Sequence, residues 1–400
     1  MSPLTLMTRF AFLPVPRTPN QWLAEVILPL GLFLVLTGML WTGDRKLYSQ
    51  LFYVLVAFPI CLLAILDRRL LRDALRIPTC LALIAFVGYV ALSISWSGSE
   101  DDATSLIKRP FYILCLCLAF CTVARVNPKM LQWIVALAAL AALPTAALTL
   151  IVFGTSGAEE RLSGLGALYN PLLTSHVYGF FLTLWIAHWA GTPTPRPLLT
   201  LAAVAILGAL IIATGSRTPL VALSATVLWI AALRGGPKGV IACVGLGIAG
   251  LALMLAYPEA LLNRGFSYRP QIWGEVSRQI LENPILGHGY DHPLRVQLDA
   301  FGFPFSDPHN MTLSVLYQGG MMGALLWGGL YGTALFSCWQ LRRYPRVLIC
   351  AAPVMYGLVA GMTEGGSFLS RPKEHWFLIW IPFSLLCAAS LDANKHDKKN

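Results

Sequence analysis

The chain alternates between long apolar runs and short polar connections over nearly its whole length. Each run is continuously apolar, whereas a strand of a membrane barrel alternates apolar and polar residues. About 20 apolar residues cross the hydrocarbon core of a bilayer as a helix, so each run predicts one membrane span. Twelve runs are predicted: 22–41, 47–66, 77–95, 106–124, 130–153, 172–190, 198–214, 218–233, 238–256, 311–338, 347–363 and 375–391. Because 198–214 and 218–233 are short, eleven or thirteen spans also fit the pattern.

One polar interruption, residues 257–310, is much longer than the others and separates the ninth run from the tenth. Within it, Ile272, Val276 and Ile280 recur at helical spacing, which predicts an amphipathic helix over 271–281 lying on the membrane or on the bundle. The sequence therefore predicts an all-α polytopic membrane protein. It forms a single membrane domain over residues 1–400, with a large loop that contains short helices.

Composition and charge agree with this architecture and orient it. Hydrophobic residues make up 56% of the chain and charged residues 12%, against about a quarter charged in soluble domains. With both termini in the cytoplasm, most of the 29 Lys and Arg residues fall inside and most of the 19 acidic residues outside, as the positive-inside rule requires. The net charge of +10 thus reports topology and needs no nucleic-acid partner.

The first apolar run and the positions of the cysteines argue against a cleaved signal peptide and against disulfides. The first apolar run is long and lacks a small-residue cleavage site, so we expect a retained span rather than a signal peptide. All nine cysteines fall within or beside predicted spans. They are expected to pack as small apolar groups and not to form disulfides.

Arg217 is a candidate for binding an anion at the outer side of the membrane. It lies between two short apolar runs, close to hydrocarbon depth, where a charge is costly and usually faces a protein interior or a water-filled cavity. Pro219 is placed in the first turn of the eighth span, after Gly215 and Ser216, so backbone N–H groups at a helix N-terminus can also bind an anion. The alternative is an arginine that extends to lipid headgroups.

His309 is a candidate general base. It follows Asp307-Pro308 at the start of the tenth span, and a neutral imidazole with carboxylates nearby suits proton abstraction. Alone, it would be interpreted as an interfacial histidine of structural role. Gly319 and Gly323, however, form a pair of small residues at helical spacing, which we expect to let a neighbouring helix approach closely and fix the helix that carries His309.

The remaining charged loops give weaker candidates. Arg161 could bind phosphate or pair with Glu159 and Glu160. The loop 364–374 is interpreted mainly as solvated, with Arg371 and Lys373 as possible contributors to an anionic-substrate cleft. The acidic triplet Glu100-Asp101-Asp102 and the group His288, Asp291 and His292 are interpreted as polar loops and not as metal sites, because neither has the spacing of a recognisable metal motif.

Taken together, His309-Asn310, nine further residues, Gly320, two residues and Gly323 resemble the signature of bacterial O-antigen ligases. The predicted twelve spans, internal termini and large outer loop between spans nine and ten are similar to that family over nearly the whole chain. O-antigen polymerases and protein O-oligosaccharyltransferases are related in sequence and topology. The chain lacks the C-terminal extension that the oligosaccharyltransferases often carry.

The resemblance implies an enzyme of the bacterial inner membrane with a periplasmic active site. Such an enzyme moves O-antigen polysaccharide from undecaprenyl diphosphate to a sugar hydroxyl of lipid A–core, without metal or other cofactor and with inversion at the anomeric carbon. By position, the resemblance makes Arg217, Arg269 and His309 the catalytic residues. The residues assigned to binding the diphosphate or the glycan are Arg161, Arg264, Tyr268, Asn310, Arg371 and Lys373.

Two alternatives remain open from the sequence. An O-antigen polymerase would use the same lipid-linked donor and differ only in its acceptor. A transporter of lipid-linked glycan would need polar residues distributed through several spans and some sign of repeated halves. Charges here are concentrated at the outer side and no repeat is evident, which favours an enzyme.

Overall fold

All twelve predicted spans overlap helices in the computed structural model, which describes residues 18–156, 161–192, 196–256, 268–298 and 304–397. The regular structure of these residues is helical, and one isolated antiparallel bridge joins Val296 to Phe305. The all-α prediction is confirmed. The helices are α1 Pro19–Leu40, α2 Arg45–Leu66, α3 Pro78–Trp96, α4 Ala103–Val126, α5 Pro128–Thr155, α6 Pro171–Gly191, α7 Pro197–Ala213, α8 Arg217–Arg234, α9 Gly236–Ala256, α10 Arg269–Ile280, α11 Met311–Gln340, α12 Pro345–Gly361 and α13 Trp380–Asp397.

Local sequence signals explain where many of these helices begin. The side chains of Asp44, Asn127 and Asn170 accept hydrogen bonds from backbone N–H groups in the first turns of α2, α5 and α6, as residues at helix N-termini commonly do. Proline stands at the opening of several helices, where its missing N–H costs nothing. The helices with proline in this position include α3, α5, α6, α7, α10 and α12.

Eight helices in the described chain are long and apolar enough to cross a membrane, and three further apolar helices are shorter: Pro197–Ala213, Gly236–Ala252 and Pro345–Gly361. Large apolar side chains such as Ile65 and Leu198 are exposed on helix surfaces, as expected where a helix faces lipid. The protein is therefore a multi-pass membrane protein. The total of twelve spans remains a prediction.

Helix α13 lies at the centre of the bundle. The apolar stretch from Glu374 to Ala393 is buried along its whole length by protein, and it packs mainly against α4 and α12. Buried aromatic rings, including Trp376, Trp380 and Phe383, fill the space around it. This central helix anchors the loop that precedes it, and that loop carries part of the site described below.

Ion pairs link the connections between helices at each of the two ends of the bundle. At one end, Arg125 pairs with Asp67 and Asp73, and Arg346 pairs with Asp392. The other end, called here the site end, contains the pairs Arg45–Glu374, Arg109–Asp101, Arg109–Asp291 and Arg269–Glu364. These groupings match the alternation of sides that the basic residues predict.

The predicted amphipathic helix in the large loop is confirmed as α10. Its buried residues Ile272 and Val276 pack with Leu294 and Val296 of the same loop and with Tyr317 of α11. This small apolar cluster is separate from the main core, and it fixes α10 across the beginning of α11 at the site end.

Helix α11 is interrupted at Gly320, whose φ of 58° and ψ of −158° are not helical. The loop segment 284–289 fills the interruption and replaces the missing helical hydrogen bonds. The N–H groups of His288 and Gly289 donate to the carbonyls of Tyr317 and Gln318, at 2.9 and 2.8 Å. On the far side of the break, Met321 and Met322 donate to Pro284 and Ile285, at 2.8 and 3.1 Å. Backbone groups at membrane depth require such partners.

The glycines of the motif therefore act differently from the prediction. A Cβ at Gly320 would lie 2.4 Å from the carbonyl oxygen of Ile285, so only glycine fits both the conformation and the space. A Cβ added at Gly319 or Gly323 would lie 3.3 or 3.5 Å from the ring of Tyr89 in α3, so these glycines make room for a side chain and not for the backbone of a neighbouring helix. The Tyr89 hydroxyl also donates to the carbonyls of Leu286 and Gly319.

Candidate active site

The carboxylate of Glu364 is the point at which four separate chain segments meet. It follows α12, is buried to 5% exposure, and accepts hydrogen bonds from the guanidinium of Arg269 and the hydroxyl of Thr218. The charges of Arg161 and Asp307 also affect the pKa of this carboxyl group, which Arg161 lowers and Asp307 raises. Residues far apart in sequence are thereby brought together at the site end.

Burial makes Glu364 an unusual carboxyl group. Its pKa is raised from the ordinary 4.5 to about 7, chiefly by loss of hydration and also by the negative charge of Asp307, against the opposing effect of the Arg269 guanidinium. A carboxyl with a pKa near neutrality, in a cluster of arginines, is a feature of functional sites. The interpretation of loop 364–374 as mainly solvated is wrong, because Glu364 and Glu374 are both buried.

Helix α10 carries Arg269 and also contacts the turn formed by residues 307–310, called here the motif turn. Arg269 and Trp273 are four residues apart on this helix and so project from the same face. Arg269 reaches Glu364, while the indole N–H of Trp273 donates to the carbonyl of Pro308 at 2.9 Å. The Nε of Arg269 is buried without a hydrogen-bond partner among the described residues, so this donor can still serve a ligand.

The turn between α7 and α8 brings Arg217 to the same region. Arg217 begins α8 and is half-buried, beside Thr218, which contacts both Glu364 and Thr363. Arg161 holds this turn from outside: its Nε donates to the carbonyl of Thr214 and its Nη2 to the hydroxyl of Ser216, each at 2.7 Å. The structure thus gives Arg161 a clear role in shaping the turn.

His309 has a backbone conformation that non-glycine residues rarely adopt. Its φ is 49°, and only Asp291 shares a positive φ among the non-glycine residues that the structure describes. Asp307 stabilises the conformation by accepting the His309 N–H at 2.7 Å, and its Oδ1 lies 3.9 Å from the ring Nδ1. Such strain concentrates at active sites. The half-exposed imidazole is accessible to a substrate.

Asn310 and Lys373 adjoin this turn in different ways. The Asn310 side chain accepts from the N–H of Leu313 and caps α11, which fixes the helix directly after His309. Lys373 donates to the hydroxyl of Ser367 at 3.3 Å. Burial lowers the pKa of Lys373, while Glu374 and Asp307 act in the opposite direction.

The other predicted binding residues are placed less centrally. Tyr268 precedes α10 and has a half-exposed ring. Arg371 is exposed and donates to Ser105 at the beginning of α4, and it is not among the groups that act on Glu364. Arg264 lies outside the described residues. In the described chain, no group of three or more His, Cys, Asp or Glu side chains is arranged to hold a metal ion.

Sequence reasoning did not identify Glu364 or Trp273 as site residues. The sequence contained a signal for Trp273, because this residue lies one helical turn after Arg269 on a helix that was itself predicted. Glu364 gave no comparable signal, since its burial depends on contacts with α8 and α10.

Comparison with known proteins identifies relatives of the chain. The family model described as O-antigen ligase matches residues 202–328, which include Arg217, Arg269 and His309. An O-antigen ligase of Pseudomonas aeruginosa is 48% identical over 370 residues, and the matched region covers 92% of this chain and 92% of that protein.

Proposed function

Because this chain belongs to the O-antigen ligase family and is an enzyme of that class, we propose that it transfers O-antigen glycan from undecaprenyl diphosphate to lipid A–core. The acceptor is a sugar hydroxyl, and the reaction takes place at the periplasmic face of the inner membrane. The observation that supports the proposal is the convergence of Arg161, Thr218, Arg269 and Asp307 on the buried Glu364, with Arg217 directly before Thr218.

The arginines fit the leaving group of this reaction. When the glycosidic bond breaks, its electron pair passes to a diphosphate oxygen, where negative charge accumulates. Guanidinium groups are always charged and bind phosphate oxygens through paired N–H donors, so Arg217 and Arg269 can stabilise this charge. The buried, unpaired Nε of Arg269 provides one such donor. Arg161, Arg264 and Tyr268 are proposed to assist in binding the donor.

His309 fits the role of general base. The oxygen of the acceptor hydroxyl forms the new bond to the anomeric carbon as its proton passes to the imidazole. Asp307 lies beside Nδ1, at 3.9 Å, so the opposite ring nitrogen, Nε2, is proposed to accept the proton. Direct displacement in one step inverts the anomeric carbon. We propose that no metal ion or other cofactor takes part.

The test is glycan transfer by the purified protein in detergent or liposomes. Undecaprenyl-diphosphate glycan and lipid A–core are mixed with and without EDTA, and His309→Ala, Arg217→Ala and Arg269→Ala are compared with the parent. Arg278→Ala is the matched control, because Arg278 is also on α10 but is exposed and paired with Glu275. We expect product on lipid A–core from the parent and the control, unaffected by EDTA, and a loss of at least a hundredfold in the three variants.

Other outcomes separate the alternatives. Longer glycan on undecaprenyl diphosphate, with none on lipid A–core, would identify a polymerase. Absence of any transfer by a folded preparation that moves lipid-linked glycan across a liposome membrane would identify a transporter. Activity that EDTA abolishes and a divalent cation restores would contradict the proposal of a metal-independent reaction.

A further inference from the structure

A cavity of about 490 Å³ lies against the motif turn. Asp307 and Pro308 form part of its wall, but Arg161, Arg217, Arg269 and Glu364 do not. The remainder of the wall comes from the large loop, the first turns of α11, the loop after α12 and Glu100 of the loop between α3 and α4. Its volume is within the range of small-molecule sites, roughly 300 to 1,000 Å³.

The lining of the cavity is rich in groups that bind hydroxyls. Polar side chains from three segments face it, among them Ser306, Ser314, Gln318 and Ser367, and the rings of Tyr290, Tyr317 and Phe368 add apolar surface. A sugar presents both hydroxyl groups and apolar C–H faces, so a wall that combines donors, acceptors and aromatic rings suits it.

The charge of the cavity is wrong for a diphosphate. Among the described residues, three carboxylates line it, those of Glu100, Asp291 and Asp307. The one arginine in the described part of its wall, Arg295, pairs with Glu100 at 3.8 Å. A ligand with a double negative charge would meet carboxylates without a compensating excess of cations, whereas a neutral glycan would find hydrogen-bond acceptors for its hydroxyls.

The wall is held in place by a network that includes strained backbone. Asp291 has a φ of 67°, its N–H donates to the amide oxygen of Gln318 at 3.0 Å, and its carboxylate accepts from Ser99 and Arg109 at 3.0 and 2.7 Å. Gln318 in turn donates to Ser314. Asp291 and His309, the two non-glycine positions with positive φ in the described chain, therefore lie at or directly beside this cavity.

A second cavity of about 500 Å³ adjoins the first and shares Glu100, His292, Arg295 and Tyr317 with it. The rings of His288 and Tyr317 are stacked there, with centroids 4.5 Å apart, and His292 stacks on His288 at 5.1 Å. Together the two cavities give room for several consecutive sugars, beginning at Asp307.

We propose that these cavities bind the acceptor oligosaccharide, with the attacking sugar in the cavity beside Asp307. This inference rests on the proposed function. A one-step displacement places the incoming hydroxyl and the leaving diphosphate on opposite sides of the anomeric carbon. The arginines form a binding region for the diphosphate. The cavity at Asp307 and Pro308, directly before His309, is separate from them and suits an uncharged ligand. It forms the binding region for the acceptor.

The test fills the cavity with a large side chain. Ser306 is exposed and lines the first cavity, so Ser306→Trp is expected to obstruct it. Ser277→Trp is the matched control, because Ser277 is an exposed residue of α10 that lines neither cavity. Initial rates are measured against lipid A–core and against the lipid-linked donor, and binding of lipid-free core oligosaccharide is measured without donor.

We expect Ser306→Trp to raise the KM for lipid A–core about tenfold or more, equivalent to about 1.4 kcal/mol, with the donor KM changed less than about twofold and core binding weakened in parallel. A rise in the donor KM alone would place the donor glycan in the cavity and overturn the proposal. Unchanged values for both substrates would also overturn it.

Binding of the core oligosaccharide separates this inference from the proposed function. If the parent binds core oligosaccharide and Ser306→Trp does not, the cavity is an acceptor site even where no transfer is detected. If the parent shows transfer but core binding is insensitive to the substitution, the ligase function stands and the cavity assignment fails. Should Ser306→Trp not fold, Arg295→Trp makes the same test, because Arg295 is exposed and lines both cavities.

Discussion

Arg269 and Glu364, 95 positions apart in sequence, form a partly buried hydrogen-bonded ion pair that links the large loop to the segment after α12. The pair aligns the guanidinium while Thr218 holds the carboxylate from the side of Arg217. Its removal should therefore misplace Arg269, the arginine that we propose to be catalytic, without removing the arginine itself.

Glu364→Gln is expected to lower transfer activity by about ten- to hundredfold, because a hydrogen bond to a charged group contributes roughly 1.5–3 kcal/mol. Steady-state rates on both substrates measure the effect. Glu275→Gln is the control, since Glu275 also pairs with an arginine of α10 but on an exposed surface, where such pairs contribute little. Equal activities of the two variants would contradict this role for Glu364.

The pH dependence of stability provides a second measure of Glu364. Because its pKa in the folded protein is about 7 and its ordinary value is 4.5, the folded state holds the proton more tightly than the unfolded state. Its contribution to stability is complete below about pH 4.5 and is lost as the pH rises to about 7, by roughly 3 kcal/mol.

Thermal unfolding of the detergent-solubilised protein between pH 4.5 and 8 tests this sign. Glu364→Gln cannot titrate, so the variant should gain apparent Tm relative to the parent as the pH rises through this window. A difference between the two proteins that is constant with pH would show that Glu364 titrates normally.

Gly320→Ala is expected to destabilise the protein by about 2–4 kcal/mol and to reduce transfer activity strongly. The added Cβ would lie 2.4–2.5 Å from backbone atoms of Ile285 and Gly287, and the positive φ would add strain. Gly328→Ala is the control in the same helix, because its Cβ would meet no atom within 4 Å and alanine favours helix. Similar melting temperatures for the two variants would contradict the proposal that close packing of segment 284–289 against Gly320 requires glycine at this position.

Trp273→Phe removes one hydrogen bond to the motif turn and retains an aromatic ring. We expect kcat to fall about three- to tenfold, since a neutral hydrogen bond contributes about 1 kcal/mol, with little change in the KM of either substrate. Trp339→Phe, at an exposed position of α11, is the comparison. A fall in kcat of the same size in both variants would show that the Pro308 contact is not responsible.

Much of the fold could be predicted because it depends on local patterns. Continuous apolar runs located the helices, and the spacing of Ile272, Val276 and Ile280 located α10. Arg217 was a candidate because of its charge at unusual depth, His309 because of its motif, and Arg269 because of its position in the large loop of the family that the chain resembles. These signals are contained in short windows of sequence.

The break at Gly320 and the burial of Glu364 could not be predicted in the same way. Gly320 stands in an apolar run that has every appearance of an uninterrupted span, and its conformation depends on segment 284–289, about 35 residues earlier. Glu364 belongs to a loop that also carries Arg371, Lys373 and Glu374, and mixed charges of this kind are typical of solvated loops. Its environment is set by arginines that approach from other helices.

The hydrogen bonds across the break also bear on protein engineering. Segment 284–289 and residues 317–322 complete one another's backbone pairing, so neither half has the same shape without the other. Exchange of the large loop between relatives to alter glycan preference should therefore take residues 268–323 as one cassette, with junctions before α10 and after Gly323. A graft of the loop alone would transfer the proposed binding surface without the part of α11 whose backbone hydrogen bonds hold the loop in its conformation.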